Sequence, residues 1–364
     1  MDTAALSARS AHRGTRRAAA AKPPTTHRDR RSRTRASELS GSSAGPTCLT
    51  TPTSKTADLP LAVWPCAQET SQRQRLGRYL QESTRHPGKM LPELARRAIG
   101  AYTEPGQLVV DPMCGTGTTL VEAIHLDRNA LGVELERRWA SLATANLAHA
   151  REQDAPGQAG VVEGDARQLP RLLTRAGRRH GTLARLGAGS VDLILTSPPY
   201  GRDLQRIDKP GWIAGGSLGA RDARNYSDDR SNLGHARAQT YRVAMGEVYA
   251  ACAAALKPGG FLVLVTKNLR ADGALYDLAA PTVELCLETG LRYWQHVIAL
   301  HAAIRGSDLV PRPSFWQLST TRKALARGER IHLVCHEDVL VFRKADVAAL
   351  KSARPERALL REAA

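Results

Sequence analysis

The sequence predicts an α/β fold in which a mostly parallel sheet carries helices on both faces. Two observations favour this fold. Between residues 61 and 345, short apolar runs typical of buried strands alternate with segments of helical spacing, the pattern of βαβ units. Several of these runs end directly in an acidic residue or a proline turn. The chain has 364 residues, of which 42% are hydrophobic, which is enough for one large domain with appendages.

The first half of this domain contains four predicted strands. Apolar residues recur at i, i+3, i+4, i+7 and i+8 from Leu91, which predicts a helix packed on a core. The strands are then predicted at residues 108–111, 130–134, 160–163 and 191–195, with a helix after the first ending near residue 126 and another around residues 139–143. This order predicts successive parallel strands.

The second half is less regular. Residues 201–239, rich in Gly, Arg, Asp and Ser, predict a long loop, and loops of this length are usually functional or disordered. A helix over 241–256 stops at Lys257-Pro-Gly-Gly260. The remaining predictions are strands at 261–266, 291–299 and 331–342, a helix at 281–289, and an irregular stretch with Pro311, Pro313, Phe315 and Trp316. The sheet is therefore expected to have seven strands.

Residues 1–60 form a predicted disordered basic segment, and residues 346–364 a C-terminal tail. The segment has no aromatic Phe, Trp or Tyr and carries +7 of the chain's net charge of +17, so it cannot bury enough apolar area to fold. It is either an arm that adds non-specific affinity for nucleic acid or a dispensable tail; an organelle transit peptide fits less well. Nine of the 52 basic residues are Lys, so the Arg excess reflects base composition as readily as phosphate binding.

Several classes of protein are disfavoured by composition. No apolar run is long enough to span a membrane, and nothing at the N-terminus resembles a secretory signal, so the expected compartment is the cytoplasm. The six cysteines are too widely spaced for a zinc ribbon or a redox motif, and no metal site is predicted. The positive charge indicates a polyanionic partner.

A glycine-rich turn connects the first strand to a helix. In Asp111-Pro-Met-Cys-Gly115-Thr-Gly117-Thr-Thr119 the glycines allow the backbone to turn tightly and approach a ligand. Glu134 and Asp165 follow the next two strands, where their carboxylates can accept ribose hydroxyls and an adenine amino group. Three acids at successive strand ends predict an adenosyl site, and the lysine of a phosphate-binding loop is missing. Each acid alone is also consistent with a helix cap or a surface carboxylate.

The fourth strand ends in Ser197-Pro-Pro-Tyr200. Two prolines fix the backbone and remove two donors, which leaves nearby carbonyls as acceptors. An exocyclic amine is a poor nucleophile because its lone pair is delocalised into the ring. Acceptance of its hydrogens by the Ser197 side chain and the Pro198 carbonyl would localise that pair, and Tyr200 offers a ring on which an extruded base could stack.

These motifs resemble those of the S-adenosylmethionine-dependent N4-cytosine/N6-adenine amino-methyltransferases of DNA. Asp111–Thr119 looks like their cofactor motif and Thr196-Ser-Pro-Pro-Tyr200 like their catalytic motif. His86-Pro-Gly-Lys-Met-Leu-Pro92 looks like the segment that closes over the methionine end of the cofactor. Residues 257–268 and 336–344 look like the end of the same fold, so that the resemblance covers about residues 61–344.

The resemblance implies a Rossmann-like class I methyltransferase with S-adenosylmethionine as cofactor. It implies that Ser197, Pro198, Pro199 and Tyr200 are catalytic. The implied cofactor-binding residues are His86, Lys89, Asp111, Pro112, Cys114, Gly115, Gly117, Thr118, Thr119, Glu134, Asp165 and Ala166. His86 could touch the cofactor carboxylate or act as a cap, and Cys114 most simply packs beside the turn.

The resemblance implies a nucleic-acid substrate, with DNA favoured over RNA. Family members with Ser-Pro-Pro-Tyr are mostly cytosine-N4 enzymes, and those with Asp or Asn first mostly adenine-N6 enzymes. A separate target-recognition domain of the restriction-modification type is not obvious, but residues 201–239 and 303–330 are candidate recognition loops. Candidate phosphate contacts are Arg202, Arg206, Lys209, Arg221, Arg224 and Arg230, and Trp212 and Tyr226 are candidates for base stacking.

Three alternatives stay open. Guanine-N2 tRNA methyltransferases resemble the same catalytic half, although they usually carry an RNA-binding domain for which residues 1–60 are too short and polar. Methylation of small molecules or protein glutamine uses similar Pro-Pro-Tyr turns, but the basic charge disfavours it. A non-catalytic nucleic-acid-binding or cofactor-sensing protein is disfavoured by the intact motifs.

Cytosine-C5 chemistry would need a thiolate, and Pro65-Cys66 lies away from any catalytic companion.

Overall fold

The structure is a computed structural model that describes residues 59–86, 88–179, 186–200, 232–271 and 274–346. The strands in these residues are β1 Val63–Pro65, β2 Leu108–Asp111, β3 Asn129–Glu134, β4 Ala159–Glu163, β5 Val191–Thr196, β6 Leu256–Thr266, β7 Leu269–Ala271, β8 Ala274–Tyr276, β9 Arg292–Leu300, β10 Ala302–Arg305, β11 Asp308–Pro311 and β12 His336–Arg343.

The α-helices are α1 Ser71–Arg75, α2 Pro92–Tyr102, α3 Thr118–His125, α4 Arg137–Arg151, α5 Leu169–Arg179, α6 Ala238–Ala255, α7 Ala279–Glu288 and α8 Phe315–Ala326. Short 3₁₀ turns occur at Gln81–Arg85, Ala166–Gln168 and Leu233–His235. No helix among the described residues combines the length and the apolarity needed to cross a bilayer.

Eight strands form the main sheet, in the order β1-β9-β12-β6-β5-β2-β3-β4. All neighbouring pairs are parallel except those of β12, which runs antiparallel to β6 and β9. The predicted count of seven strands was wrong because β1 adds an eighth at the edge, where Val63 pairs with Ile298. Three residues ending in a proline give little strand signal, but an edge strand tolerates proline.

The chain reverses its direction of travel across the sheet between β2 and β5. From β2 it moves outward through β3 and β4, and it then crosses back to place β5 on the other side of β2, with Val110 opposite Ile194. In open parallel sheets, ligands bind in the crevice beyond the carboxyl ends of the strands at such a switch point. Both motifs singled out in the sequence therefore border this crevice.

A separate hydrophobic cluster covers each face of the sheet. Helices α2, α3 and α4 pack on one face, and α5, α6 and α7 pack on the other. Alternating strand residues feed both clusters: Val109 enters the first, and Leu108 and Val110 enter the second. The predicted arrangement of helices on both faces is confirmed.

Three local predictions need correction. The strand predicted from residue 261 begins at Leu256, which pairs with Val191. The next four residues bulge out of register, with Gly259 at positive φ, before pairing with β5 resumes at Phe261. The strand predicted over 331–342 spans only β12. The stretch predicted to be irregular, including the candidate recognition loop 303–330, contains the β10–β11 hairpin and helix α8.

Candidate active site

Asp111 braces the glycine turn from the end of β2. The Thr119 hydroxyl donates to Asp111 Oδ2 at 2.7 Å, and the Met113 amide donates to Oδ1 at 3.1 Å. The side chain is buried, which raises its pKa to about 6, while these hydrogen bonds act in the opposite direction. Asp111 therefore shapes the turn through bonds to the turn itself.

The two glycines adopt conformations that L side chains disfavour. Gly115 has φ +53°, and Gly117 has φ +81° as the residue that caps α3. A Cβ on Gly115 would lie 3.2 Å from His86 Nε2, and one on Gly117 would lie 3.2 Å from the Cβ of Ala143. The turn is thus compressed between the His86 segment on one side and α4 on the other.

Glu134, at the end of β3, is bonded to the same turn. The Gly115 amide donates to its Oε2 at 2.7 Å, and the Glu136 amide donates to its Oε1 at 2.9 Å. Burial raises the pKa of Glu134 to about 7, although both amide bonds favour the charged form. Each carboxylate oxygen has a second lone pair, so Glu134 can accept further hydrogen bonds from vicinal hydroxyls.

The His86 segment closes over the turn. The imidazole of His86 is buried and meets the ring of Trp139 edge-on, with ring centroids 4.6 Å apart. The Gly88 amide donates to its Nδ1 at 3.2 Å. Lys89 Nζ donates to the Thr84 carbonyl at 3.0 Å and also to the His86 carbonyl. These bonds stabilise the backbone around His86.

Asp165, after β4, caps the following 3₁₀ turn. Its Oδ1 accepts the Arg167 amide at 2.9 Å, and its Oδ2 accepts Arg167 Nε at 2.9 Å. The side chain is 23% exposed, and Arg167 engages both of its oxygens. Asp165 therefore acts as the cap that the sequence left open, and its contact with a cofactor stays a prediction.

Most of the remaining predicted cofactor residues belong to the glycine turn, and Ala166 instead begins the 3₁₀ turn after β4. Pro112, Cys114, Thr118 and Ala166 are buried. Cys114 packs under Gly132, where an added Cβ would lie 2.7 Å from its Sγ. Burial raises the pKa of Cys114 well above the usual thiol value, which agrees with a packing role.

The Ser197–Tyr200 turn leaves β5 at the other side of the crevice. Ser197 is exposed, Pro198 is buried, and Pro199 and Tyr200 are half-buried. The Tyr241 hydroxyl donates to the Pro199 carbonyl at 2.8 Å. Burial raises the pKa of Tyr241, so the phenol keeps its proton and remains a donor. Sequence reasoning placed Tyr241 only on the apolar face of a helix, and no local signal connects it to a carbonyl 42 residues earlier.

The candidate nucleic-acid contacts lie outside the described residues. These are Arg202, Arg206, Lys209, Arg221, Arg224 and Arg230, together with Trp212 and Tyr226. They stay predictions.

The doubly wound sheet, with its antiparallel β12 and the glycine turn at the switch point, has the Rossmann-like architecture that the sequence predicts. Residues 10–145 match a family model described as DNA methylase, and residues 82–210 match one described as an RMKL-like methyltransferase domain. Over the part of the chain that they cover, these matches and the type II relatives show a similarity to N4-cytosine/N6-adenine DNA methyltransferases, the family that the motifs resemble.

Individual relatives match shorter stretches. A tRNA (guanine(10)-N2)-dimethyltransferase from Methanocaldococcus jannaschii is 35% identical over 117 residues, which is 32% of this chain and 30% of that protein. The type II methyltransferase M.SmaI from Serratia marcescens is 41% identical over 58 residues, 16% of this chain and 20% of that protein. The chain thus spans less than a third of the length of either of these two relatives. The crystal structure of TrmN from Thermus thermophilus is similar at a TM-score of 0.41 and 17% identity, covering 72% of this chain and 52% of that chain.

The residues present fit S-adenosylmethionine, the cofactor that the motifs predict. Glu134 and Asp165 follow adjacent strands and present carboxylates for an adenosyl group. Among the described residues, the buried Trp139 Nε1 beside His86 has no hydrogen-bond partner, and an unpaired buried donor is costly unless a ligand or water satisfies it. The two carboxylates as acceptors and Trp139 Nε1 as a donor are therefore suited to a polar ligand.

Proposed function

We propose that this protein transfers a methyl group from S-adenosylmethionine to an exocyclic amino group of a nucleic-acid base. The observation that carries this proposal is the placement of two motifs across one crevice. The Gly115–Gly117 turn leaves β2, and the Ser197–Tyr200 turn leaves β5, the strand paired with β2 at the switch point. A cofactor on the first turn and an amine on the second would lie next to each other.

The chain's residues divide the work between these two turns. Glu134 and Asp165 hold the adenosyl group, and the His86 segment covers the turn below it. When bound, the cofactor supplies an electrophilic methyl group on a sulfonium. The Ser197 hydroxyl and the Pro198 carbonyl accept the hydrogens of the target amine and localise its lone pair. Proximity and orientation then supply most of the rate enhancement, and the proton leaves to water.

Tyr241 adds a positioning function to this scheme. The prolines fix the φ torsions of the catalytic turn, and the Tyr241 hydroxyl donates a hydrogen bond to the Pro199 carbonyl. With that carbonyl engaged, the orientation of the preceding peptide, which carries the Pro198 oxygen, is set more rigidly. We therefore assign Tyr241 to the support of the amine site.

DNA is the substrate that the catalytic motif favours. Ser-Pro-Pro-Tyr resembles the motif of cytosine-N4 enzymes, with adenine N6 as the related amine, and relatives named type II methyltransferases match this chain. The proposed contacts to the phosphate backbone are Arg202, Arg206, Lys209, Arg221 and Arg224, which supply positive charge directly after the catalytic turn.

A second candidate is guanine N2 of tRNA. It is favoured by the match of 117 residues to two archaeal tRNA (guanine(10)-N2)-dimethyltransferases, longer than the 58 residues matched in M.SmaI. Guanine N2 is also an exocyclic amine, so the same serine, proline and tyrosine would serve it. The difference between the candidates lies in substrate binding and not in the chemistry of the turn.

One experiment separates them. Purified protein is incubated with S-adenosylmethionine labelled on the methyl group and, in separate reactions, with duplex DNA and with tRNA transcripts. The nucleosides are then released and identified by mass. Labelled N4-methylcytosine or N6-methyladenine supports the DNA proposal, N2-methylguanine supports the tRNA candidate, and no label in any base with wild-type protein that binds cofactor would refute base methylation.

A further inference from the structure

A buried group of charged side chains joins the segment before α2 to helix α3. Glu122, on α3, is almost fully buried and accepts Arg78 Nε at 2.9 Å and Arg78 Nη2 at 2.7 Å. The Tyr79 hydroxyl donates to Glu122 Oε1 at 2.6 Å. Arg75 belongs to the same group, with its guanidinium carbon 4.8 Å from the centre of the Tyr79 ring. Glu122 therefore pairs with Arg78, while Arg75 reaches the group only through the Tyr79 ring.

Arg75 is the member of this group that is poorly satisfied. Its side chain is only 6% exposed. Its Nη2 donates to the Met90 carbonyl at 2.5 Å and to Thr118 Oγ1 at 3.3 Å. Within the described part of the chain, its buried Nε and Nη1 have no hydrogen-bond partner. A buried guanidinium with free donors and no carboxylate of its own is costly, because water no longer solvates the charge.

The position of Arg75 indicates what is missing. Thr118 is the first residue of α3 and directly follows Gly117 of the cofactor turn. Met90 belongs to the segment that begins with His86, whose ring packs on Gly115. The guanidinium thus lies at the N-terminal end of an eight-residue helix, where the helix dipole already favours an anion. Positive charge and free donors converge at the edge of the candidate cofactor site.

We propose that Arg75 binds the carboxylate at the amino-acid end of the bound cofactor. This inference rests on the proposed function, and it assigns to that site a residue that no motif includes. A carboxylate matches the planar fork of a guanidinium and would supply the negative charge that Glu122 does not provide. Thr118 and Met90 then act as positioning groups that hold the fork toward the ligand.

The test compares two ligands that differ at this end. S-adenosylhomocysteine carries the amino-acid group, and 5′-methylthioadenosine carries the same adenosyl group without it. We expect Arg75→Gln to weaken S-adenosylhomocysteine binding about 10- to 100-fold by calorimetry, the range of a lost charge-assisted pair. Binding of 5′-methylthioadenosine should change less than about twofold. Equal losses for both ligands would mean that Arg75 only supports the fold, and would overturn the inference.

Two controls keep the test decisive. Arg73→Gln removes an exposed arginine from the same helix, α1, and should leave both affinities unchanged. If Arg75→Gln does not fold, wild-type protein is titrated with decarboxylated S-adenosylhomocysteine, which retains the amine. Equal affinity for this ligand and for S-adenosylhomocysteine would also overturn the inference. If wild-type protein binds none of the adenosyl ligands, the proposed function itself is refuted, a result distinct from the loss of selectivity.

Discussion

The Tyr241 hydroxyl lies 2.8 Å from the carbonyl oxygen of Pro199 and donates a hydrogen bond to it. This contact connects the beginning of α6 to the turn that follows β5, two elements far apart in the chain. It also engages a carbonyl in a turn whose two prolines contribute no amide donors. The backbone of the candidate amine site is therefore held both by its own covalent constraints and by the phenol of the half-buried Tyr241.

Replacement of this phenol provides the first prediction. Tyr241→Phe should lower kcat for methyl transfer about 5-fold, because the catalytic turn loses a hydrogen bond that fixes its carbonyls, a change worth about 1 kcal/mol. The dissociation constant for S-adenosylhomocysteine should not change. Tyr249→Phe removes another buried hydroxyl from α6 and is the matched control. Equal effects of the two variants on kcat would contradict the positioning function.

Ser197 provides the second prediction. Ser197→Ala should reduce methyl transfer at least about 100-fold, because the amine loses one of the two acceptors that localise its lone pair, while cofactor affinity stays near the wild-type value. The measurements are single-turnover transfer to the identified nucleic acid and calorimetric binding of S-adenosylhomocysteine. Ser190→Ala, at the amino end of β5, removes a hydroxyl that bonds only Gly187 among the described residues and should leave transfer unchanged. Parallel losses of binding and transfer in the Ser197 variant would show that its role lies elsewhere.

Gly115 provides the third prediction. Gly115→Ala places a Cβ 3.2 Å from His86 Nε2 on a backbone with φ +53°. We expect a loss of about 1–3 kcal/mol in the free energy of unfolding and weaker cofactor binding, because both the turn and the imidazole must shift. Gly100→Ala, in α2, has open space around its Cβ and ordinary φ, and should not destabilise the protein. Chemical denaturation measures both, and an unchanged Gly115→Ala protein would show that the contact is relaxed at no cost.

The fourth prediction concerns pH. Burial raises the pKa of Glu134 from 4.5 to about 7, so between these pH values the folded protein binds a proton that the unfolded chain has already released. The contribution of Glu134 to stability should therefore fall as pH rises from about 4.5 to about 7, and Glu134→Gln should lack this decline. Hydroxyl donors require the ionised carboxylate, so cofactor affinity should increase through the same range.

The comparison of wild type with Glu134→Gln isolates this carboxyl from Asp111, whose pKa is also raised, to about 6. Unfolding is measured by denaturation at several pH values, and cofactor binding by calorimetry at the same values. A wild-type affinity that decreases between pH 6 and 8, or a Glu134→Gln protein with the same pH dependence as wild type, would contradict the assignment.

The strands that carry the site, and the residues at their ends, could be predicted from sequence patterns alone. Short apolar runs predicted β2 to β5 nearly at their observed ends. Buried parallel strands produce such continuous runs, and acids or prolines follow them directly. The sequence also predicted that Asp111, Glu134, Asp165 and Ser197 lie at strand ends. Sequence spacing is sufficient for this, because side chains at the ends of neighbouring parallel strands share one edge.

The contacts between groups at that edge depend instead on how distant segments fold together. The bonds of Glu134 to Gly115, of Tyr241 to Pro199 and of Arg75 to Thr118 join residues between 19 and 43 positions apart. Edge strand β1 and the β10–β11 hairpin are likewise fixed by pairing with partners and not by local pattern. Periodicity reports whether a residue is buried, but the partner of a buried polar group depends on how distant segments pack together.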